Sequence, residues 1–588
     1  MVAPEKNKKI FLTGNAMNVK TKIEEILGKS LKALDIKDVD ITLEHPTDMS
    51  HGDYATNVAM ICAKREGKNP LKLAEEIAEE IRKNLDDDIE KVEVAGSGFI
   101  NFYLSESFFS KANSFIYNSG DDFGKNKNLE NKRVMVEYTD PNPFKELHAG
   151  HLMSNSVGES ISRLIEFSGA EVIRANYQGD VGPHVAKALW GMMKKEKERP
   201  PENSSLEEKI SFIGSAYVEG SAAYEKEEAR KEIDEINKAI YEKSNPELMK
   251  LYSWGREASL VHFEEIYKKL GTSFNHYFFE SETAERGKKI VKEGLKKGVF
   301  ERSEEAVIFK GEKYGLHTRV FVTSLGLPTY ETKDLGLNAY KFEIESPNLS
   351  VVVTGNEQTE YFKVMLKALS LLHPEVAEKT IHIGHGMLTT PEGKMSSRKG
   401  NVMGGGTLLD DAESVALKKT KEGGKFENEE EEKKASETIA LAAIRFTVLK
   451  QTPGKNVVFD FERSLSLEGD SGPYLQYSFT RAASAAKRAE DLGVKVDESG
   501  KFFLNTELER ILYKFPEVVE RAQKEYAPHY VVTYLTSTAS SFNVFYAEHK
   551  IADPDDRSSG YKLLLTKSFQ AVMKNGLYIL GIGIPDKM

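Results

Sequence analysis

The spacing of apolar residues changes along the chain and divides it into predicted domains. Between residues 18 and 83 apolar positions recur every three or four residues, as in TKIEEILGKSLKAL, which is typical of amphipathic helices. The following KVEVAGSGFINFYL alternates around two glycines, which predicts two strands joined by a tight turn. Residues 1–125 are therefore predicted to form a small α+β domain, and the polar, unpatterned stretch 118–132 is interpreted as the linker that overlaps its end.

A second region predicts a parallel sheet. RVMVEY at 133–138 and EVIRANY at 171–177 have the character of buried strands, and the segment between them has helical spacing that stops at Gly169. This order is typical of parallel α/β sheets. The charged, mostly helical stretch 186–302 interrupts it, and it resumes with AVIFK, RVFVTS, LSVVVTG and TIHIGHGML. We predict a multidomain α/β protein whose Rossmann-type sheet, over 126–410, is split by a helical insertion at about 186–302.

The last region, 411–588, has helical period almost throughout. SGPYLQYSFTRAASAAKRAEDL, TELERILYKFPEVVERAQ and HYVVTYLTSTASSFNVFYAEH are three long amphipathic segments, which predict an all-α bundle. The glutamate run in KFENEEEEKKASET is interpreted as the solvated start of a helix and is given no function.

Composition narrows the class of protein. With 588 residues the chain has room for several domains, and 81 basic against 92 acidic residues give a net charge of −11, which argues weakly against a generic nucleic-acid coat. The single cysteine, Cys62, excludes a disulfide within the chain and a zinc site built on cysteines. No run approaches the ~18 apolar residues of a membrane span, so we expect a cytoplasmic protein without protein-bound zinc or metal ligands of its own.

Two segments carry candidate chemistry. PNPFKELHAGHL places His148 and His151 around Gly150 between a strand and a helix, where free N–H groups and the helix dipole favour phosphate and the glycine permits a ligand's close approach. GKMSSRKGN at 393–401 is a cationic loop suited to neutralising a phosphoryl transition state. Alone, each is as well explained by structural histidines or a solvated loop. Together, in opposite halves of a split sheet, they indicate a nucleotide site.

HAGH and KMSSRK resemble the HIGH and KMSKS signatures of class I aminoacyl-tRNA synthetases, although KMSSRK departs from the signature after its serine. The literal letters HIGH at 382–385 fall within a predicted strand and are not taken as the signature. Along the whole chain the blocks HGDYATNVAM, VEYTDPNPFKELHAGHL, YETKDLG, EGDSGPYLQYSFTRA and LGIGIPDKM resemble the arginyl-tRNA synthetase family.

The resemblance assigns roles to individual residues. Those implied in catalysis are His148, His151, Lys394, Arg398 and Lys399. Those implied in ATP binding are Gly150, His148, His151, Lys394, Met395 and Ser396. Those implied in binding the substrate arginine are Glu137, Asn142, Tyr330, Asp334 and Gln358, and a guanidinium group suits the carboxylates among them.

The resemblance also implies a reaction. L-Arginine is activated by ATP to arginyl-adenylate and then transferred to the 2′-hydroxyl of the terminal adenosine of tRNA(Arg), with Mg²⁺ arriving with ATP and no protein nucleophile. Activation is expected to need bound tRNA. The N-terminal domain is expected to touch the tRNA elbow, with Phe99 and Asn101 as candidates, and residues 411–588 to include a stem and a DALR-type anticodon-binding domain. A monomer is expected.

Two other functions stay open at this point. An inactive synthetase-like protein that only binds tRNA or a partner has no chemical reason to hold His148, His151, Lys394, Glu137 and Asp334 together. A small-metabolite adenylyltransferase with an HxGH motif resembles only the sheet domain, and leaves the N-terminal domain and the C-terminal helices without a task.

Overall fold

The computed structural model describes residues 18–389, 391 and 404–588, and the KMSSRK segment lies outside them. The chain forms two compact units, each discontinuous in sequence. One combines the residues as far as Phe123 with Ala482–Phe515 and Ser540–Val572. The other comprises Gly124–Arg481, Pro516–Ala539 and Met573–Met588.

The N-terminal region is the expected small α+β fold, with one strand more than predicted. Its elements are α1 (Val19–Ala33), β1 (Tyr54–Thr56), α2 (Val58–Glu66), α3 (Pro70–Arg82), β2 (Ile89–Ala95), β3 (Phe99–Leu104) and α4 (Glu106–Ser119). The antiparallel sheet has the order β1-β3-β2, so the short β1 interrupts a stretch predicted to be wholly helical. Asn69 caps α3 by accepting from the backbone N–H groups of Leu71 and Lys72, ahead of a proline in the first turn.

The larger unit is built on a five-stranded parallel sheet. The elements from its first strand to the end of the insertion are β4 (Arg133–Glu137), α5 (Ala149–Phe167), β5 (Glu171–Gln178), α6 (Pro183–Lys194), α7 (Leu206–Ala223), α8 (Glu227–Glu242), α9 (Pro246–Leu270), β6 (His276–Phe279) and α10 (Glu280–Lys296). Helices α6 to α9 enclose an apolar core of their own. Strand β6 pairs with β5 in the sheet, so the predicted insertion, which ran to 302, contains a sheet strand that the charged residues around it concealed.

The second half of the sheet differs from the prediction. Its elements are β7 (Glu301–Ser303), β8 (Ala306–Phe309), β9 (Arg319–Val322), α11 (Tyr330–Glu345), β10 (Leu349–Gly355), α12 (Thr359–Leu372), α13 (Pro374–Ala377), β11 (Thr380–His385) and β12 (Leu388–Thr389). AVIFK and RVFVTS form β8 and β9 of a separate antiparallel sheet with β7, and only LSVVVTG and TIHIGH join the parallel sheet. The prediction was wrong for these two because apolar strands of either sheet have the same local pattern.

The rest of the chain is almost entirely helical, as expected. Its elements are α14 (Gly405–Gly423), α15 (Glu429–Leu449), β13 (Val457–Val458), α16 (Phe461–Ser464), α17 (Gly472–Asp491), α18 (Glu507–Leu512), α19 (Phe515–Lys524), α20 (His529–Glu548) and α21 (Ser559–Ile579). The glutamate run begins α15, with Asn428 accepting from the backbone N–H of Glu431. TELERILYKFPEVVERAQ is not one helix but two, because Pro516 lacks the N–H that an unbroken helix requires.

Candidate active site

The order of the parallel strands places a site at one edge of the sheet. The order is β11-β10-β4-β5-β6, with β4 in the centre. The chain runs from β4 through α5 to β5 on one side and returns to β10 on the other. Ligands of open α/β sheets bind beyond the carboxyl ends of the strands at such a switch point. The segment after β4, with HAGH at the start of α5, lies there.

The two histidines of HAGH lie together at the N-terminus of α5. Their rings stack with centroids 3.8 Å apart, and the Nδ1 of His151 accepts the backbone N–H of His148 at 3.0 Å. A β-carbon on Gly150 would lie 3.0 Å from the His148 ring, so the glycine makes room for that ring. Burial lowers the pKa of both histidines, and that of His151 falls well below its usual value. A neutral His151 that accepts at Nδ1 carries its proton at Nε2, where it can donate to a phosphate oxygen.

The loop between β4 and α5 has an unusual backbone. Thr139, Asp140 and Phe144 have positive φ angles of 78°, 46° and 66°, a region that non-glycine residues rarely occupy. The loop is held by hydrogen bonds, since Thr139 donates its N–H to the Ser154 hydroxyl at 2.9 Å and Asp140 accepts the Tyr177 N–H at 2.7 Å. Such strain persists where the surrounding structure fixes it, often at functional sites. The loop carries Asn142.

Asn142 occupies space that a glycine leaves open. A β-carbon on Gly179, which follows β5, would lie 2.1 Å from the Asn142 side-chain oxygen and 3.4 Å from the carboxyl carbon of Glu280. Asn142 and Glu280 therefore approach each other over Gly179. Glu280 is the first residue of α10, directly after β6, so the amide and the carboxylate converge from two different strand ends.

A buried cluster of four carboxylates lies beside Asn142, and two lysines pair with it. The carboxylates are those of Glu137, Asp140, Glu280 and Asp334. Glu137 pairs with Lys341 at 2.5 Å, and Glu280 pairs with Lys333. In the part of the chain that the structure describes, neither Asp140 nor Asp334 has an ion-pair partner. The cluster thus holds two carboxylates more than it holds cations.

The excess of carboxylates over cations is reflected in the pKa values of the two carboxylates left unpaired in the described chain. Burial raises the pKa of Asp334 to about 7; the Tyr361 hydroxyl, which donates to the carboxylate, opposes the rise, and the nearby Glu137 and Glu280 add to it. Burial also raises the pKa of Asp140 well above its usual value, with Glu137 contributing. Placing a cation between these carboxylates would relieve both effects.

The structure brings some of the expected arginine-binding residues together and leaves others at the surface. Glu137, Asn142 and Asp334 lie in or beside the carboxylate cluster, with Glu137 already neutralised by Lys341. Tyr330, on the same helix as Asp334, is 57% exposed as a residue, but its ring lies 4.4 Å from the Nζ of Lys333, the partner of Glu280. Gln358 is exposed in a short 3-10 turn after β10.

The remaining site predictions have three different outcomes. Lys394, Met395, Ser396, Arg398 and Lys399 lie outside the described residues. The literal HIGH letters lie in strand β11, as expected, where His382 stacks on Phe362 with centroids 4.0 Å apart. Of the candidate tRNA contacts, Phe99 is 40% exposed whereas Asn101 is 3% exposed, so only the phenylalanine is available at the surface.

Sequence reasoning missed Glu280, Asp140 and Lys341. Glu280 had a usable signal, because it directly follows the apolar strand HYFF, and carboxylates at the ends of parallel strands face the ligand edge. That strand was concealed within the predicted insertion. Lys341 had no such signal, since a lysine on a helix is ordinarily exposed, yet this one is fully buried.

Comparison with known families identifies the class of protein. A family model described as tRNA synthetases class I (R), catalytic domain, matches residues 114–461. The parallel sheet, the paired histidines at its switch point and this match define the catalytic domain of a class I aminoacyl-tRNA synthetase. Two more models match, the arginyl tRNA synthetase N terminal domain over 17–104 and the DALR anticodon binding domain over 475–588. The chain belongs to the arginyl-tRNA synthetase family.

Individual relatives span the whole chain. The arginine–tRNA ligase of Treponema denticola is 30% identical over 97% of this chain and 100% of its own length, and that of Pyrococcus furiosus is 29% identical over 91% and 94%. The arginyl-tRNA synthetase structures of Thermus thermophilus and Plasmodium falciparum both give a TM-score of 0.79. They are 24% and 21% identical, cover 97% of this chain in each case and 100% and 99% of their own, and show the same fold.

The described residues contain no group of three or more histidine, cysteine, aspartate or glutamate side chains placed to hold a metal ion. Nor do they include a helix whose length and apolar character suit a membrane crossing.

Proposed function

We propose that this protein is an arginine–tRNA ligase that uses ATP to attach L-arginine to tRNA(Arg). The observation that carries the proposal is the buried cluster of four carboxylates and two lysines at the sheet edge of a chain belonging to the arginyl-tRNA synthetase family. A buried site with more carboxylates than cations suits a substrate that is itself a cation.

The guanidinium group takes its place beside Asp334 and Glu280. Asp334 has no ion-pair partner in the described chain, and Glu280 approaches from the carboxyl end of β6 with Lys333 as its partner. A planar guanidinium donates to two carboxylates at once, which a lysine ammonium does less well. Tyr330, whose ring lies over the Nζ of Lys333, borders the same pocket.

The other end of arginine lies toward the start of α5. Asn142, fixed over Gly179, binds the α-amino group, and Gln358 binds near the carboxylate. Gly150 and the stacked His148 and His151 receive the phosphates of ATP, with the N-terminus of α5 adding its dipole.

Residues of the KMSSRK segment supply cations to the phosphates of ATP. Lys394, Met395 and Ser396 contact ATP in this proposal. Arg398 and Lys399 join Lys394 in neutralising charge as the phosphoryl group is transferred.

The reaction proceeds in two displacements without a protein nucleophile. A carboxylate oxygen of arginine attacks the α-phosphorus of ATP, which forms arginyl-adenylate and expels pyrophosphate. The 2′-hydroxyl of the terminal adenosine of tRNA(Arg) then attacks the arginyl carbonyl carbon and expels AMP. The protein contributes by positioning and by stabilising charge. Mg²⁺ enters with ATP, whose phosphate oxygens suit this hard cation.

The tRNA contacts extend over the terminal domains. The N-terminal domain, residues 1–125, meets the tRNA elbow, with Phe99 as the exposed stacking surface. The DALR-type region within 411–588 binds the anticodon, and residues 126–410 form the catalytic domain.

The protein acts as a cytoplasmic monomer, and sedimentation velocity at micromolar concentration tests its oligomeric state.

Pyrophosphate exchange and tRNA charging test the proposal. Exchange between ATP and labelled pyrophosphate is measured with each of the twenty amino acids, with and without total tRNA, together with attachment of labelled arginine to tRNA. We expect exchange with arginine alone, dependent on tRNA, and charging that saturates at the tRNA(Arg) content. Exchange with arginine in the absence of tRNA removes only the dependence, whereas charging of another amino acid, or of none, refutes the function.

A further inference from the structure

A buried carboxylate on α5 collects donors from three directions. Glu159 is 2% exposed and accepts the Tyr138 hydroxyl at 2.5 Å, the Nε of Arg163 at 2.7 Å and the Nε of Arg174 at 3.1 Å. Two cations hold its pKa at about 2 against the effect of burial, so it is ionised at neutral pH. This group has no part in the proposed chemistry, and it lies along α5 from the HAGH motif.

One of these donors also holds the end of the last helix. The Nη1 of Arg163 donates to the backbone carbonyl of Tyr578 at 2.9 Å, and its guanidinium lies 4.9 Å from the centre of the Tyr578 ring. Nearby, the buried Arg445 donates to the backbone carbonyls of Gly581 and Leu270. Arg163 and Arg445 thus hold the segment 578–581 through its backbone carbonyls, and the Tyr578 ring adds a side-chain contact.

The tyrosine donor, Tyr138, lies beside the candidate arginine site. Tyr138 lies between Glu137, at the end of β4, and Thr139, where the strained loop begins. Its ring packs so closely on α5 that a β-carbon at Gly158 would lie 2.3 Å from it. The Asn176 side chain also donates to the Tyr138 carbonyl at 3.0 Å. These contacts and the hydrogen bond to Glu159 act together to hold Tyr138 in place.

We infer that Glu159 is a positioning residue for arginine, which ties the strained loop 139–144 to the docked segment 578–581 through Tyr138 and Arg163. The inference rests on the proposed function. Because the loop holds positive φ angles, the residues around it must supply the restraint. Loss of the Glu159 charge frees Tyr138 and allows the loop, with Asn142, to relax away from the substrate.

The KM values for arginine and for ATP distinguish a positioning role of Glu159 from a general role in stability. A displaced Asn142 and Asp140 weaken the site for arginine, whereas the histidines that face ATP keep the N-terminus of α5 as their support. We therefore expect the KM for arginine to rise on the order of tenfold and the KM for ATP to stay within about twofold.

The test measures charging of total tRNA at varied arginine and varied ATP for three variants. Glu159→Gln removes the charge at nearly constant shape. Arg163→Lys keeps a cation but cannot reach both Glu159 and the Tyr578 carbonyl. The matched control is Glu345→Gln, which breaks an ion pair with Arg133 (2.5 Å) at the opposite end of the same strand, β4. Thermal unfolding of each variant is recorded alongside.

The outcomes are distinct. A selective rise in arginine KM in Glu159→Gln and Arg163→Lys, absent from Glu345→Gln, supports the inference. An unchanged arginine KM in folded Arg163→Lys overturns it, even if Glu159→Gln fails to fold, and so does an equal rise in Glu345→Gln. If the unmodified protein charges no arginine, the proposed function fails first, and this inference falls with it.

Discussion

The charge state of Asp334 offers a sharp test, because the structure makes this carboxylate costly to the fold. Burial raises its pKa to about 7 from a usual value of 3.8. A difference of about three pKa units corresponds to about 4 kcal/mol between the protonated and ionised forms. Since the folded protein binds this proton more tightly than the unfolded chain, the cost is absent below about pH 4. It grows as pH rises and is complete above about pH 7.

Asp334→Asn removes this cost without removing the shape, and its amide oxygen can still accept the Tyr361 hydroxyl. We expect the variant to be more stable than the unmodified protein, with an advantage that grows by about 2 kcal/mol between pH 5.5 and pH 8. Urea unfolding at the two pH values measures the difference. At the same time the KM for arginine should rise on the order of a hundredfold, because the substrate loses an ionised partner.

The control is Asp411→Asn, the same substitution at an exposed position of α14, which should change stability by less than about 0.5 kcal/mol at either pH. An advantage for Asp334→Asn that is the same at pH 5.5 and pH 8 would refute the reasoning, since a titrating carboxylate cannot produce it. A variant less stable than the unmodified protein at pH 8 would refute it as well.

Three further changes test the rest of the site. His151→Ala should lower kcat of arginine-dependent pyrophosphate exchange on the order of a hundredfold with little change in arginine KM, because the lost Nε2–H serves a phosphate oxygen; a larger effect on arginine KM would contradict this. Gly179→Ala should raise the KM for arginine at least about tenfold, because the added β-carbon displaces Asn142. Gly423→Ala is the control, because a β-carbon there meets open space. An equal KM for arginine in the two variants would contradict the contact between Asn142 and Gly179. Tyr361→Phe removes a donor to the Asp334 carboxylate, so the pH below which arginine KM rises should move upward; a pH profile of charging that does not move, or moves down, would contradict it.

Local pattern was sufficient for the elements that carry the site. The apolar run of β4, the helical spacing of α5 and its end before Gly169 are each written in a few adjacent residues, and all three were predicted correctly. HAGH was placed at the start of α5 for the same reason. Motifs of this kind are local in sequence and local in space.

Membership of a sheet is not local, and there the prediction failed. Strand β6 pairs with β5 across a connection of almost a hundred residues, and its four residues lie between charged helices. Whether AVIFK pairs parallel with the main sheet or antiparallel with β7 depends on residues far away in the chain. Glu280 was missed as a consequence, because a carboxylate at a strand end is recognised only once the strand is placed.

The buried charges show a further limit of sequence reasoning. The resemblance selected Glu137 and Asp334, in agreement with the preference of a guanidinium for carboxylates, and both do lie in one cluster. The sequence did not indicate that Lys341 would neutralise Glu137, nor that Lys333 would pair with Glu280. Such pairings depend on which face of α11 turns inward, and that face is set by the packing of the whole unit.

The imbalance of the cluster bears on how the proposed enzyme selects its substrate. With two lysines opposite four carboxylates, burial and the neighbouring carboxylates raise the pKa of Asp140 and of Asp334, that of Asp334 to about 7, so Asp334 is partly protonated near neutral pH. A neutral isostere such as citrulline fills the same space but brings no charge, so the carboxylates stay protonated or unpaired, and buried unpaired groups cost several kcal/mol. Lysine brings the charge but a single ammonium, which does not span two carboxylates as a planar guanidinium does. Citrulline and lysine are therefore both rejected for the same reason. The cluster has more carboxylates than lysines, and only arginine supplies a planar cation that pairs with two of them.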